Sequence, residues 1–478
     1  MRIDIGSQWW RFELTTWSST TLLAKNMVYV GNKGKSHSNA IAEEGKDLIS
    51  NLPIDLMYRI LDGMLISDAA RTSVLSKTWR NIWETYHCFN LNTLFFNRLV
   101  YNKDEQVHRE KFIAAVNMIF FAHRGPILKL NLYMPPGLRL HESPFLDVWM
   151  KQVSDSGIQY LRLNNAMNNP TISVPSQLFS CSGLMRLMLI NCKLNPPPNS
   201  RGYCNLVVVH LSFVTLARDM SFGPRIKVLS LVNCAGIQHL GNQFKYHSQN
   251  LYKLVIVRDQ KLENSALDLD FNPFTNKMKS INLYKLLGHI PSPTDLTVNG
   301  VCLQFLEPGL ALHKKLTTDW GNLKMLKFYE LKFNEMHQIS NAFCLIRSFP
   351  NMQILHLSVK PEANRNPIEW RTEQYLESPD CRDIILDQLK IVEIRDVMGS
   401  KAELLFIKLV LAIAPSLRRM TIFPNSNMTE SKEEIKIFNQ LFCCLKRSPV
   451  EIIWRGNSMS MTLRSPGVTD PCSAVMSN

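Results

Sequence analysis

The sequence predicts an α/β chain in three parts: a short three-helix module at the front, an irregular array of short repeated strands behind it, and a strand-helix-strand unit towards the C-terminus. Three observations carry this expectation. Apolar residues between Leu52 and Trp83 recur at helical spacing. From Ile127 onward a pattern of aliphatic, two variable, aliphatic, one variable, aliphatic keeps returning. Leu389 to Ile422 reads as a strand, a capped helix stopped by proline, and a second strand.

Residues 1–46 show no sustained period and are expected to be disordered. Gly34-Lys35-Ser36 looks like the end of a phosphate-binding loop, but Tyr29 stands where that loop needs its first glycine, so no nucleotide cradle is expected. The helical module spans 47–90. Pro53 suits a first turn, and Leu52, Met57, Ile60, Leu61 and Met64 form one apolar stripe. Gly63 is expected to weaken the end of that helix by about 1 kcal/mol relative to alanine. Ser67 stands where an N-cap is expected, before Asp68, and Ala70, Val74 and Leu75 continue the period. Trp79, Ile82 and Trp83 repeat it one turn later. A module of about 40 residues has little interior, so a partner or the following domain must cover part of this surface. The blander alternative is a capping bundle that packs only on its own chain.

Asn51-Leu52-Pro53, Arg59-Ile60-Leu61 and the run from Asp68 to Arg80 resemble the F-box of plant F-box proteins, with Ile54 where an acidic residue is usual and Leu65 where proline is common. The resemblance implies binding to the Skp-type adaptor of a cullin-RING ubiquitin ligase. It also implies the adaptor-facing or helix-packing set Leu52, Pro53, Met57, Ile60, Leu61, Leu75, Trp79 and Trp83.

The repeats occupy 120–358. Leu184 to Leu194 matches the leucine-rich-repeat pattern L-x-x-L-x-L-x-x-N/C-x-L at every required position. Weaker copies open at Ile127, Ile158, Leu206, Ile226, Leu251, Met278, Leu323, Met352, Leu389 and Leu417. Each would add one strand to a parallel sheet and stack its aliphatics on the next, giving an irregular leucine-rich-repeat solenoid. The rival, an α/β domain with crossover helices, is disfavoured because many gaps look loop-like, as at Pro196-Pro197-Pro198. The long gap around Ile290-Pro291-Ser292-Pro293 reads as an irregular unit or an insertion.

A linker is expected at 359–378, followed by a unit at 379–455 in which Gly399 makes a turn, Ser400 and Glu403 form a capping box, and Pro415 ends the helix. Cys381, Leu389, Val392, Ile394, Gly399, Glu403 and Leu417 resemble the FBD domain that follows leucine-rich repeats in many plant F-box proteins, with Val397-Met398 in place of the usual aromatic. The tail, 456–478, is expected to be disordered.

The positions between the strand aliphatics carry Lys129, Arg162, Arg186, Lys227, Lys253, Lys279, Lys324, Lys327, Lys390, Arg418 and Arg419, a candidate basic stripe. Of these, Arg186, Lys227, Lys253, Lys279, Lys324 and Lys327 are the candidate substrate-binding residues, suited to an acidic or phosphorylated segment. The bland account is that lysine on exposed strands discourages edge pairing. The net charge of +14 is spread without a dense basic run, which favours acidic protein partners over nucleic acid. Eleven cysteines without a CxxC pair indicate neither a disulfide framework nor a zinc site. There is no signal-peptide order, and the longest apolar run, Leu404 to Ala414, is too short to span a bilayer, so a soluble protein of the nucleus and/or cytoplasm is expected. No GxSxG, HExxH or nucleophile context is present, and His87 and His356 read as core histidines. No enzyme activity, cofactor or metal is expected. By resemblance, the chain is a substrate-recognition subunit of a Skp-cullin-F-box ubiquitin ligase, partnered by the adaptor, through it a cullin, and a protein substrate. The alternative is a non-ligase repeat scaffold or nucleic-acid-binding protein using a basic concave surface.

Overall fold

The structure, a computed structural model, describes residues 49–99, 105–138, 140, 144–197, 203–217, 222–237, 240, 250–258, 287, 293–304, 320–361, 369–426, 435–437, 439–440, 450–456 and 460–464. Residues 1–46, the repeat copy at Met278, residues 362–368 of the linker and most of the tail lie outside them, while the described parts of the expected linker and disordered tail carry a helix at Glu369–Glu377 and a strand at Ser460–Arg464. The chain divides into two compact units with the boundary between Leu184 and Met185.

In the first unit, α1 (Ile54–Asp62), α2 (Ile66–Arg71), a 3-10 turn at Thr72–Val74 and α3 (Lys77–Thr85) come first. Pro53 is the N-cap of α1 and Gly63 its C-cap, so Gly63 lies outside the helix and the interior-glycine cost does not arise. Ser67 is not a cap. Helix α2 begins at Ile66, with Leu65 in the N-cap position, because the burial of Ile66 outweighs cap chemistry in so short a helix. For α3 the cap is Ser76, whose Oγ accepts from Trp79 N at 3.2 Å.

The unit continues with β1 (Cys88–Leu91), α4 (Thr93–Leu99), α5 (Glu105–Ala122), β2 (Lys129–Met134), α6 (Phe145–Asp155), β3 (Tyr160–Asn165) and β4 (Ile172–Ser173). Strands β1, β2 and β3 pair in parallel, which sets Phe89, Leu130 and Leu161 in one row and Leu91, Leu132 and Leu163 in the next. Strand alternation sends both rows to the same face, and all six side chains are buried. Against them Trp149 of α6 stacks on Phe120 of α5 at 6.3 Å, and its Nε1 donates to Asn117 Oδ1 at 2.8 Å.

The second unit runs β5 (Arg186–Leu194), β6 (Val208–Leu216), β7 (Val228–Val232), β8 (Lys253–Val257), β9 (Asp295–Asn299), α7 (Gly300–Gln304), β10 (Met325–Leu331), α8 (Met336–Ser348), β11 (Ile354–Val359), α9 (Glu369–Glu377), α10 (Pro379–Arg382), β12 (Ile391–Val397), α11 (Lys401–Ile413), β13 (Arg419–Pro424), β14 (Glu451–Arg455) and β15 (Ser460–Arg464). From β5 to β14 each strand pairs in parallel with the next in chain order, and β15 turns back antiparallel on β14. One buried row reads Leu229, Leu254, Leu296, Leu326, Leu355, Val392. No strand could bury such a row alone; each needs both neighbours.

Every repeat opener read from the sequence, Met278 aside, is buried and stands two residues before a strand, from Ile127 before Lys129 to Leu417 before Arg419. Strand β9 escaped the pattern because Pro293, itself buried, holds the opener's place. Just past the shared rows, Asn191, Phe213, Asn233, Glu330 and Asp396 occupy equivalent positions, seven residues after the openers of β5, β6, β7, β10 and β12, and all have φ between 49° and 60°. That left-handed conformation turns the chain out of its strand, and asparagine and aspartate adopt it more readily than phenylalanine or glutamate.

The gaps differ from the loop-like expectation. Helices α8 and α11, each 13 residues, connect β10 to β11 and β12 to β13, whereas among the described residues no α-helix lies between β5 and β8. These two helices are buried over most of their lengths, and Phe343 of α8 meets Phe406 of α11 at 5.4 Å. Burial of both helices on one sheet face is what a parallel crossover requires. The capping box of α11 forms: Ser400 Oγ accepts from Glu403 N at 3.3 Å, and the Glu403 carboxylate accepts from Met398 N and Gly399 N at 2.9 and 2.8 Å.

Candidate functional site

Helix α1 is apolar over two adjacent faces, and they part company in the structure. Met57 and Leu61 point inward with Ile66, Ala69, Trp79, Ile82 and Trp83, forming the interior of the module. Trp83 is further sealed by its own unit, stacking on Phe89 at 6.1 Å and 3° and standing edge-on to His123 at 6.0 Å. Tyr86 Oη donates to Asp62 Oδ1 at 2.8 Å, tying the end of α3 to the end of α1.

The other face of α1 stays open. Leu56 and Ile60 are exposed there, Ile54 and Met64 are exposed at the start of the helix and just past its end, and Val74 at 79% and Leu75 at 67% are exposed at the end of the 3-10 turn. Of the eight residues expected at the adaptor, then, Pro53, Ile60 and Leu75 are exposed and Leu52 is half-buried, while Met57, Leu61, Trp79 and Trp83 hold the helices together. The single stripe read from the sequence merged these roles because residues 57 and 61 and residues 56, 60 and 64 lie on neighbouring faces about 100° apart. Ile54 and Val74, left out of the expected set, belong to the exposed surface. Their signal was present: a helix apolar on two faces carries more apolar surface than so small a module can cover.

On the second unit, the sheet face opposite the buried rows mixes polar and charged residues with aliphatics such as Val228, Met325 and Ile391. Arg186, Lys253 and Lys327 lie on strands of this face. Lys227, Lys324, Lys390 and Arg418 instead precede their strands at the rim, and Lys279 lies outside the described residues. The face is not uniformly basic. Asp295 stands in register between Lys253 and Met325, and Glu393 pairs with His356, which pairs with Lys327. Burial pushes the Asp295 carboxyl up while Lys327 and Lys253 oppose it; burial and Lys253 push the Lys327 ammonium down while Asp295 and Glu393 oppose it. Arg419, at the far end, is paired with Glu451 at 3.1 Å. The basic stripe is therefore an alternating one over β8 to β14, which the sequence hid because each carboxylate comes from a different strand.

His356 sits half-buried among these charges rather than in an apolar core, and burial lowers its pKa despite Glu393 beside it. Cys192, Cys234 and Cys302 are buried, with thiols pushed up to about 12 by burial, so they are inert packing residues. Cys204 is exposed. Among the described residues no cluster of His, Cys, Asp and Glu could hold a metal ion, and no helix is long and apolar enough to cross a membrane.

The helical module with a closed interior and an open apolar face is an F-box domain by its match: the F-box domain model matches residues 49–90, ahead of the strand-rich region. More particularly, over most of its length the chain is similar to F-box/FBD/LRR-repeat proteins of Arabidopsis thaliana. It is 26% identical to F-box/FBD/LRR-repeat protein At1g13570 of Arabidopsis thaliana, covering 82% of this chain and 95% of the relative. It is 23% identical to the putative F-box/FBD/LRR-repeat protein At5g44950 of the same plant, over 84% and 98%. FBD-associated F-box protein At1g60410 matches at 27% over 47% of this chain and 52% of its own length.

Proposed function

We propose that this chain is the substrate-recognition subunit of a Skp-cullin-F-box ubiquitin ligase, working in the nucleus and/or cytoplasm. The F-box docks a Skp-type adaptor, and through it a cullin, while the strand-rich region holds a protein substrate. That region we read as an irregular leucine-rich-repeat solenoid over 120–358 and an FBD-like unit over 379–455, a reading supported by parallel pairing in chain order and by the β12-α11-β13 unit. The carrying observation is the exposed set Ile54, Leu56, Ile60, Met64, Val74 and Leu75 on a module already closed by Trp79 and Trp83. An apolar face left open by a module with no interior to spare is a docking face.

Catalysis in such an assembly is proximity. The receptor raises the effective concentration of a substrate lysine near the ubiquitin thioester, and no acid, base or metal is required of this chain. Co-purification of the full chain with a Skp-type adaptor tests the reading. Wild type should retain the adaptor, and Ile60→Asp with Leu75→Asp should lose it while the fold persists. Absence of retention by wild type, or retention indifferent to both substitutions, sinks it. The nucleic-acid alternative requires a strongly basic face, and the carboxylates of Asp295, Glu393 and Glu451 argue against one.

A further inference from the structure

Towards the C-terminal ends of β12, β13 and β14, on the sheet face opposite the buried rows, Phe423 lies between two arginines. The register Ile394 with Ile422 with Trp454 places the next residues, Arg395, Phe423 and Arg455, side by side on three consecutive strands. The Arg395 guanidinium carbon is 4.6 Å from the Phe423 ring centroid and that of Arg455 is 5.9 Å away. Both arginines are exposed. A ring that stacks with two guanidiniums fixes their planes and lowers the entropy lost when they grip an anion.

The donors of this rack are not fully used. Arg395 gives its Nε to Glu393, which leaves both Nη groups open to another acceptor. Arg419, in the row nearer the strand starts, is already bound to Glu451. Among the described residues the Arg455 guanidinium forms no ion pair, and although the Asp396 carboxylate interacts electrostatically with Arg395, the rack still offers two guanidinium edges to a single bound group. Ile453 lies beside Thr421 in an adjoining row and Ile391 in the row beyond, so apolar contact is on hand for flanking side chains.

We propose that Arg395, Phe423 and Arg455 form the subsite of this receptor for a phosphorylated side chain on an extended substrate segment. A phosphate monoester offers about two negative charges and three acceptor oxygens, enough to bridge two forked donors, where a carboxylate satisfies one. The proposal rests on the substrate-receptor reading and adds residues outside the lysine set expected from the sequence.

The test uses the full chain and two immobilised degenerate peptide pools that differ only in a central serine or phosphoserine. Wild type should be retained at least tenfold better on the phosphoserine pool. Arg395→Ala with Arg455→Ala should fall to the serine level, and Arg419→Ala should behave as wild type. Should the double variant not fold, Arg455→Glu at its exposed position should abolish the preference alone. Equal retention on both pools, an undiminished preference in the folded variants, or stronger retention on single-stranded nucleic acid than on the phosphoserine pool would overturn the subsite. Adaptor co-purification, read on the same proteins, tests the receptor reading separately, since none of these three residues belongs to the F-box.

Discussion

The F-box helices and the parallel strands of the second unit leave opposite kinds of surface uncovered. The helices bury Met57, Leu61, Trp79 and Trp83 and still expose Ile60, Val74 and Leu75. The strands bury the aliphatic rows of one face and expose on the other a mixture in which Lys253, Asp295, Lys327, Glu393 and Arg395 alternate in sign. An apolar surface is driven to burial without regard to direction, which suits a partner that never changes. A pattern of charges adds little raw affinity but rejects mismatched partners, which suits selection among substrates. Under the proposed function, the two surfaces divide constant docking from selective recognition.

The largest effects should come from the residues that close each interior. Trp79→Ala should cost about 3–5 kcal/mol and Leu254→Ala about 2–5 kcal/mol, read as shifts in urea unfolding midpoint, because each leaves a cavity among side chains that cannot collapse into it. If Trp79→Ala lost adaptor binding while unfolding like wild type, Trp79 would belong to the docking face and the division drawn above would fail.

Leu75→Asp is the converse. At 67% exposure it should move stability by no more than about 0.5 kcal/mol. Its adaptor affinity should nevertheless drop at least about tenfold, or roughly 1.4 kcal/mol, in a titration of purified adaptor. A stability loss as large as that of Trp79→Ala would mean that Leu75 is packed in solution.

The same division explains what could be read from the sequence. Strand openers such as Ile226 and Leu389 were legible because a short local pattern marks them and the sheet buries each in the same way. Strand β9 was not, since Pro293 takes the opener's place and only Leu296 and Val298 report the strand. In the F-box the apolar residues were visible but their roles were not, because telling Ile60 from Leu61 requires knowing which of two adjacent helix faces meets α3. On the sheet the cations were visible and their compensation was not. Asp295 and Glu393 reach Lys327 only through strand pairing, and Phe423 meets Arg395 and Arg455 by the same register.

Acid should weaken both regions. Burial lowers the pKa of His123, beside Trp83 and Phe89 in the first unit, and of His356 on the sheet face. A histidine with a depressed folded pKa is held neutral in the native state, so below about 6.5 the unfolded chain binds more protons and stability falls with falling pH. Urea midpoints should therefore be lower at about pH 5.5 than at about pH 7.5, and His123→Phe should reduce the difference. A His123→Phe profile identical to wild type would show that this imidazole takes no part.

The smallest effect should come from the strand exits. Phe213 holds φ at 54° where β5 and β7 carry asparagine in the equivalent place. A left-handed conformation costs a bulky residue about 1 kcal/mol or more, and asparagine tolerates it better. Phe213 is only half-buried, so the packing lost on replacement is modest. Phe213→Asn should raise the urea midpoint slightly and leave adaptor and peptide binding unchanged, since the change concerns only how the chain leaves its strand. A lower midpoint would mean that the Phe213 ring contributes more through its contacts than its backbone strain removes, and that strand exits in this sheet are held by packing rather than by the conformational preference of the residue at the turn.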